Sequence, residues 1–97
     1  MSRTAQIEVL EETYRDDLDR VFENLLQFKL EDYRRSLAEY DQILKQFEEQ
    51  YEMDSAYLYE EFEAGRAGDA MDFFEWTGIY EMRQYVLERI ARIEAVL

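Results

Sequence analysis

Apolar residues fall at Leu26, Leu30, Tyr33, Leu37, Tyr40, Leu44, Phe47 and Tyr51, an unbroken alternation of four and three. On a helix this spacing keeps one face apolar, as in a helix packed along a seam. Upstream, Tyr14, Leu18, Phe22, Leu26 and Leu30 run in steps of four. That spacing drifts around the helix in the opposite sense, as a stutter does, and locally unwinds a supercoil. No proline occurs anywhere and no glycine before Gly65, and the Leu, Glu, Gln, Arg and Lys that fill this stretch are good helix formers. One helix is predicted from about Ala5 to Tyr51, roughly 70 Å long at 1.5 Å per residue. Residues 1–51 are assigned to it as a whole, and any break is expected near Asn24 or Lys29.

A short middle helix is predicted within residues 52–65. Asp54 or Ser55 can cap its start by accepting a free backbone N–H. Gly65 ends it, because glycine enters the left-handed region without steric cost. Residues 66–71 read as a loop. Asp72 followed by Glu75 has the spacing of a reciprocal cap, so the third helix is predicted to start at Asp72 and run over 72–97. Its expected apolar face is Ile79, Met82, Val86, Ile90, Ile93 and Leu97. Gly78 inside it costs roughly 1 kcal/mol relative to alanine, and close helix contact is the expected reason for its presence. The predicted fold is all-α and single-domain, an antiparallel helical hairpin or coiled-coil-like bundle with a short helix at its turn. The third helix reaches only about half the first, at 1.5 Å per residue for both. Ile7, Leu10, Tyr14, Leu18 and Phe22 are therefore expected to lack an intramolecular partner, leaving a second copy or another protein to cover them.

Composition narrows the chemistry. With 47% hydrophobic and 15% aromatic residues, the chain has enough apolar material to fold. Cysteine and histidine are both absent, which removes disulfides, the usual zinc ligands, the usual general base and the usual nucleophile pairings. A carboxylate-bridged di-iron bundle lacks the Glu-x-x-His pairs it needs. All-α nucleotide pyrophosphatases of the MazG type hold magnesium with Glu-x-x-Glu and a later Glu-x-x-Asp. Glu8-x-x-Glu11 and Glu60-x-x-Glu63 match the first half, but no Glu-x-x-Asp occurs. Asp69 and Asp72 beside Gly65 and Gly68 do not reproduce a calcium-binding helix–loop–helix pattern. Neither a cofactor, a metal site nor an enzymatic activity is expected. The opening residues hold no apolar signal-peptide core, and no stretch approaches the roughly 20 apolar residues of a membrane span, so a cytoplasmic location is expected.

Charge then singles out one region. The formal net charge is −13, which disfavours binding to nucleic acid or an anionic membrane and favours encounter with a basic partner. Its placement is uneven. Residues 1–45 hold eleven acids and seven bases, and residues 76–97 three of each. Between Gln46 and Glu75 there are ten acids against the single base Arg66, interleaved with Phe47, Tyr51, Tyr57, Tyr59, Phe62, Phe73 and Phe74. Aromatic anchors rimmed by carboxylates suit an interface with an Arg- and Lys-rich protein. The candidate partner-binding residues are Glu48, Glu52, Tyr57, Glu60, Glu61, Glu63, Asp69, Asp72, Phe74, Glu75 and Trp76. The competing reading keeps the aromatics in the core and leaves the acids on a solvated face. A structural coiled-coil homodimer or scaffold, joined through the first helix, is an alternative that needs no basic partner.

The run from Phe47 to Ile90 also carries a pattern: Phe47-Glu48, Tyr51 to Ser55, Phe62 to Gly65, Gly68-Asp69 and Phe74-Glu75-Trp76. It resembles the small acidic antitoxins of type II toxin-antitoxin pairs, often encoded beside a TumE-like toxin thought to be a ribonuclease. The resemblance implies neutralisation of a basic ribonuclease-like toxin by occupying its phosphate-binding surface. No helix-turn-helix or ribbon-helix-helix reader is recognisable, so direct DNA binding is not expected.

Overall fold

A computed structural model describes residues 2–97 and contains three helices: α1 Arg3–Tyr51, α2 Ser55–Glu63 and α3 Met71–Val96. Helix α1 starts where the Ser2 side chain accepts the Ala5 N–H at 3.1 Å, satisfying one donor the first turn leaves free. It stops because Glu52 takes a left-handed conformation, φ 50°. The turn that follows is tied by two side chains. Glu48 accepts the Ser55 N–H at 2.9 Å and Asp54, the N-cap of α2, accepts that of Tyr57. At the far end of α2, Gly65 donates to the Phe62 carbonyl and Arg66 to that of Glu61, with Gly65 at φ 74°. This is the left-handed glycine stop anticipated from the sequence.

The start of α3 differs from expectation. It begins one residue earlier, at Met71, behind Ala70, which offers no side-chain cap. Asp72 lies in the first turn, where a carboxylate is favoured by the helix dipole, and it accepts a hydrogen bond from the Tyr51 hydroxyl. The loop-facing cap is thus exchanged for a tie to α1.

Helix α3 packs antiparallel against the C-terminal half of α1. Leu30 meets Val86 and Ile90 in one buried cluster, flanked by Tyr33, Leu37, Tyr40 and Ile93. A second cluster holds Leu44, Phe47, Leu58 and Trp76, with Tyr51, Met53, Phe73 and Ile79 around it. The seam read from Leu26 to Tyr51 is therefore the packed one. Two positions on α3 fall outside it: Met82 and Leu97, expected on its apolar face, are about half exposed. Gly78 also departs from expectation. A Cβ built there would meet nothing within 4 Å, so close helix contact is not its reason.

The molecule is elongated. Its radius of gyration is 19.9 Å, against about 12–13 Å for a compact domain of this length. A straight α1 would be roughly 73 Å long, yet the longest dimension of the whole molecule is 58 Å. The bend is at Tyr14, whose φ −129° and ψ 31° are non-helical between two helical stretches, and Asn24 and Lys29 are unbroken. Tyr14 is exposed and begins the run of four-residue steps, so neither packing nor a constant phase holds α1 straight there.

Candidate functional site

The closed end of the hairpin is assembled around Trp76. Its ring stacks on Phe47 at 5.4 Å and 10° and meets Tyr51 and Phe73 at tilted angles. Its indole N–H donates to the Ser55 hydroxyl at 2.8 Å. Leu58 of α2 closes the cluster at 1% exposure. Trp76 itself is 0% exposed, so it is a core residue, a correction to its expected role as a partner anchor. Aromatic spacing could not reveal this, because the serine that satisfies its N–H lies on another helix.

Three of the candidate acids also have internal roles. Glu48 caps α2, Asp72 holds the Tyr51 hydroxyl, and Glu61 accepts two hydrogen bonds from Arg66 at 2.8 and 3.0 Å. The Arg66 hydrogen bonds hold the Glu61 carboxyl below its ordinary value of 4.5, and the same pairing raises Arg66. The hydrogen bond to Asp72 raises the Tyr51 phenol above 10.0, and one to Glu81 does the same for Tyr59.

Glu52, Tyr57, Glu60, Glu63, Asp69, Phe74 and Glu75 remain exposed. Tyr57 and Glu60 lie one turn apart on α2, where such residues share a face. Phe74 is 52% exposed and stands edge-on against the half-buried Phe62, ring centroids 5.1 Å apart. Met71, not anticipated, is 81% exposed at the start of α3. The surface of the closed end thus presents Tyr57 on α2 and Met71 and Phe74 on α3, in a stretch rich in carboxylates.

Its electrostatics are one-sided. Among the described residues, Glu61 is the only acid between Gln46 and Glu75 in an ion pair, and its partner is the only base in that stretch. Nine carboxylates are left without a cation. They are dispersed: no group of three acids converges as a metal site would among the described residues. A shallow groove beside them, lined by Asp41, Lys45, Glu48, Asp54, Tyr80 and Arg83, is bridged at one side by the Arg83–Asp41 ion pair between α3 and α1. No described helix is long and apolar enough to cross a membrane. No family model, curated protein or solved structure matches this chain.

Proposed function

We propose that the protein is an acidic protein-binding module that neutralises a basic partner in the cytoplasm by covering its cationic surface, with no catalytic step of its own. The observation that carries this reading is the closed end, where nine dispersed carboxylates stand without a paired base in the same stretch as exposed Tyr57, Phe74 and Met71. A merely solvated face mixes both signs, as residues 1–45 do. Uncompensated acids instead favour fast capture of a cationic surface, and exposed aromatics then supply buried contact at small entropic cost. A small ribonuclease-like toxin is the partner class that this chemistry and the antitoxin-like sequence pattern both suit, since an enzyme that grips phosphates presents Lys and Arg.

The test compares the native protein with a Glu60→Lys, Glu63→Lys, Glu75→Lys variant as bait in extracts of the native host, with circular dichroism confirming equal helicity. The native bait should retain a small basic protein that salt releases, and the variant should not. Co-expression with that protein should restore growth only for the native chain. Equal retention by both baits at low and physiological salt would leave the electrostatic reading without support.

A second reading, a coiled-coil homodimer joined through α1, is favoured by the exposed apolar face of the arm, the N-terminal part of α1 over residues 3–29, where Val21, Leu25 and Phe28 are 53–64% exposed.

A further inference from the structure

Between α2 and α3 lies a groove that charge placement alone does not single out. Tyr59 of α2 and Tyr80 of α3 stand with ring centroids 4.9 Å apart and planes tilted by 36°, and both are partly buried. Beside them is a groove of about 420 Å³ lined by Ala56, Tyr59, Glu60, Tyr80, Glu81 and Gln84. On α2, Ala56 is three residues before Tyr59 and four before Glu60, so one face of the helix presents all three. The small Ala56 leaves the space open between the two helices.

Hydrogen bonds fix the walls and leave acceptors over. The Tyr59 hydroxyl donates to one Glu81 oxygen at 3.0 Å, and the Gln84 amide donates to the Tyr80 hydroxyl at 3.2 Å. The second Glu81 oxygen and the Gln84 carbonyl stay available. Glu60 and Glu81 are exposed, and neither is in an ion pair among the described residues. No base lines the groove, in contrast to the one beside Asp41, which contains Lys45 and Arg83. Glu63 lies one turn beyond Tyr59 on α2. Its charge adds to the Glu81 hydrogen bond and to burial in holding the Tyr59 phenol above 10.0.

We propose that this groove seats an arginine side chain of the basic partner, its guanidinium stacked on the Tyr59–Tyr80 pair and bonded to the Glu60 and Glu81 carboxylates. The assignment rests on the acidic-module reading above and names the side chain that reading leaves open.

Two features commit the groove to this occupant. The first is charge, since two unpaired carboxylates and no base select a cation over an anion or an apolar chain. The second is the aromatic wall. A tyrosine face attracts a cation, and a guanidinium is planar and weakly hydrated, so it stacks there while its fork of donors reaches carboxylates at the edge. A lysine ammonium is a compact, strongly hydrated charge that gains less from the same wall.

Fluorescein-labelled oligoarginine and oligolysine of equal length carry equal charge and isolate that difference. Titrated against the native chain and read by fluorescence anisotropy, oligoarginine should bind about two- to fivefold more tightly, the gain of one exposed cation–aromatic contact. Glu60→Gln should remove most of this preference, whereas Glu75→Gln, an equal loss of charge outside the groove, should weaken both peptides alike. Tyr59→Leu should abolish the preference and Tyr59→Phe, which keeps the ring, should retain it. Circular dichroism checks the helicity of each variant, and Glu60→Gln, at an exposed and unpaired side chain, keeps the fold. The proposal is overturned if oligoarginine does not bind, if the two peptides bind equally, or if the preference survives Glu60→Gln and Tyr59→Leu unchanged. A native chain that self-associates by sedimentation and is returned to its 11.8 kDa mass by Glu60→Gln would also overturn it, by placing an arginine of a second copy in the groove. Salt-sensitive binding of both peptides without an arginine preference sinks this assignment alone, whereas binding insensitive to salt and to the acid-to-lysine variant sinks the acidic-module reading with it.

Discussion

The two ends of this molecule use the same kinds of residue to opposite effect. At the closed end, Phe47, Tyr51, Phe73 and Trp76 face one another across α1 and α3 and bury an indole whose N–H is satisfied. In the arm, Tyr14, Val21, Phe22, Leu25 and Phe28 are equally apolar and equally periodic, yet each is more than half exposed. Charge is distributed inversely. The closed end carries the uncompensated acids, and the arm carries Arg3, Arg15, Arg20 and Lys29 among its acids. A helix face becomes core only when a second element lies along it, and α3 ends beside Leu25, Leu26 and Lys29, leaving most of the arm uncovered. Stability is therefore concentrated in the closed end, while the arm retains surface for association.

The largest test of that contrast is Trp76→Ala. Emptying the most buried site in the molecule should cost about 3–5 kcal/mol, a large part of the stability of a small domain, seen as a collapsed denaturation midpoint. Ser55→Ala probes the same cluster more gently. It leaves the Trp76 N–H buried without its acceptor and should cost about 1–3 kcal/mol in urea titrations. Gly78→Ala should move in the other direction. The site is helical and open, so alanine should add about 1 kcal/mol, raising the melting temperature by about 4–8 °C for a domain of this size.

The next effect is confined to alkaline pH. Tyr51 and Tyr59 are neutral donors to Asp72 and Glu81, and their phenols are held above the ordinary 10.0. The stabilisation is therefore fully present below pH 10 and is lost as pH rises through the folded values. A Tyr51→Phe, Tyr59→Phe variant should be less stable than the native chain at pH 8, and the gap should narrow above pH 10. The smallest effect belongs to the arm. Phe22→Ala, at 62% exposure, should change the stability of the single chain by no more than about 0.5 kcal/mol. A loss comparable to that of Trp76→Ala would break the comparison and place the arm within the cooperative core.

Local pattern carried much of the architecture. The α1 seam, the Asp54 cap, the Gly65 stop and the antiparallel hairpin with its uncovered arm all follow from residues within one or two turns of each other, because helix periodicity and capping are short-range. The acidic block was legible for the same reason, since it is contiguous in the chain. Its internal structure was not. Glu48, Glu61 and Asp72 are spent on Ser55, Arg66 and Tyr51. The pairs formed by Glu48 and Asp72 required knowing how α1 turns into α2 and where α3 begins.

What the sequence determined by itself is therefore the helical class, the approximate lengths, the mismatch between α1 and α3, and the sign and location of the field. Tertiary structure alone decided that Trp76 is core while Phe74 is surface, and that Met82 lies outside the seam. Neighbouring aromatics on one helix differ by about 100° in azimuth, and which azimuth is buried depends on where α1 and α2 lie. That is a property of the assembled helices, and no stretch of α3 encodes it alone.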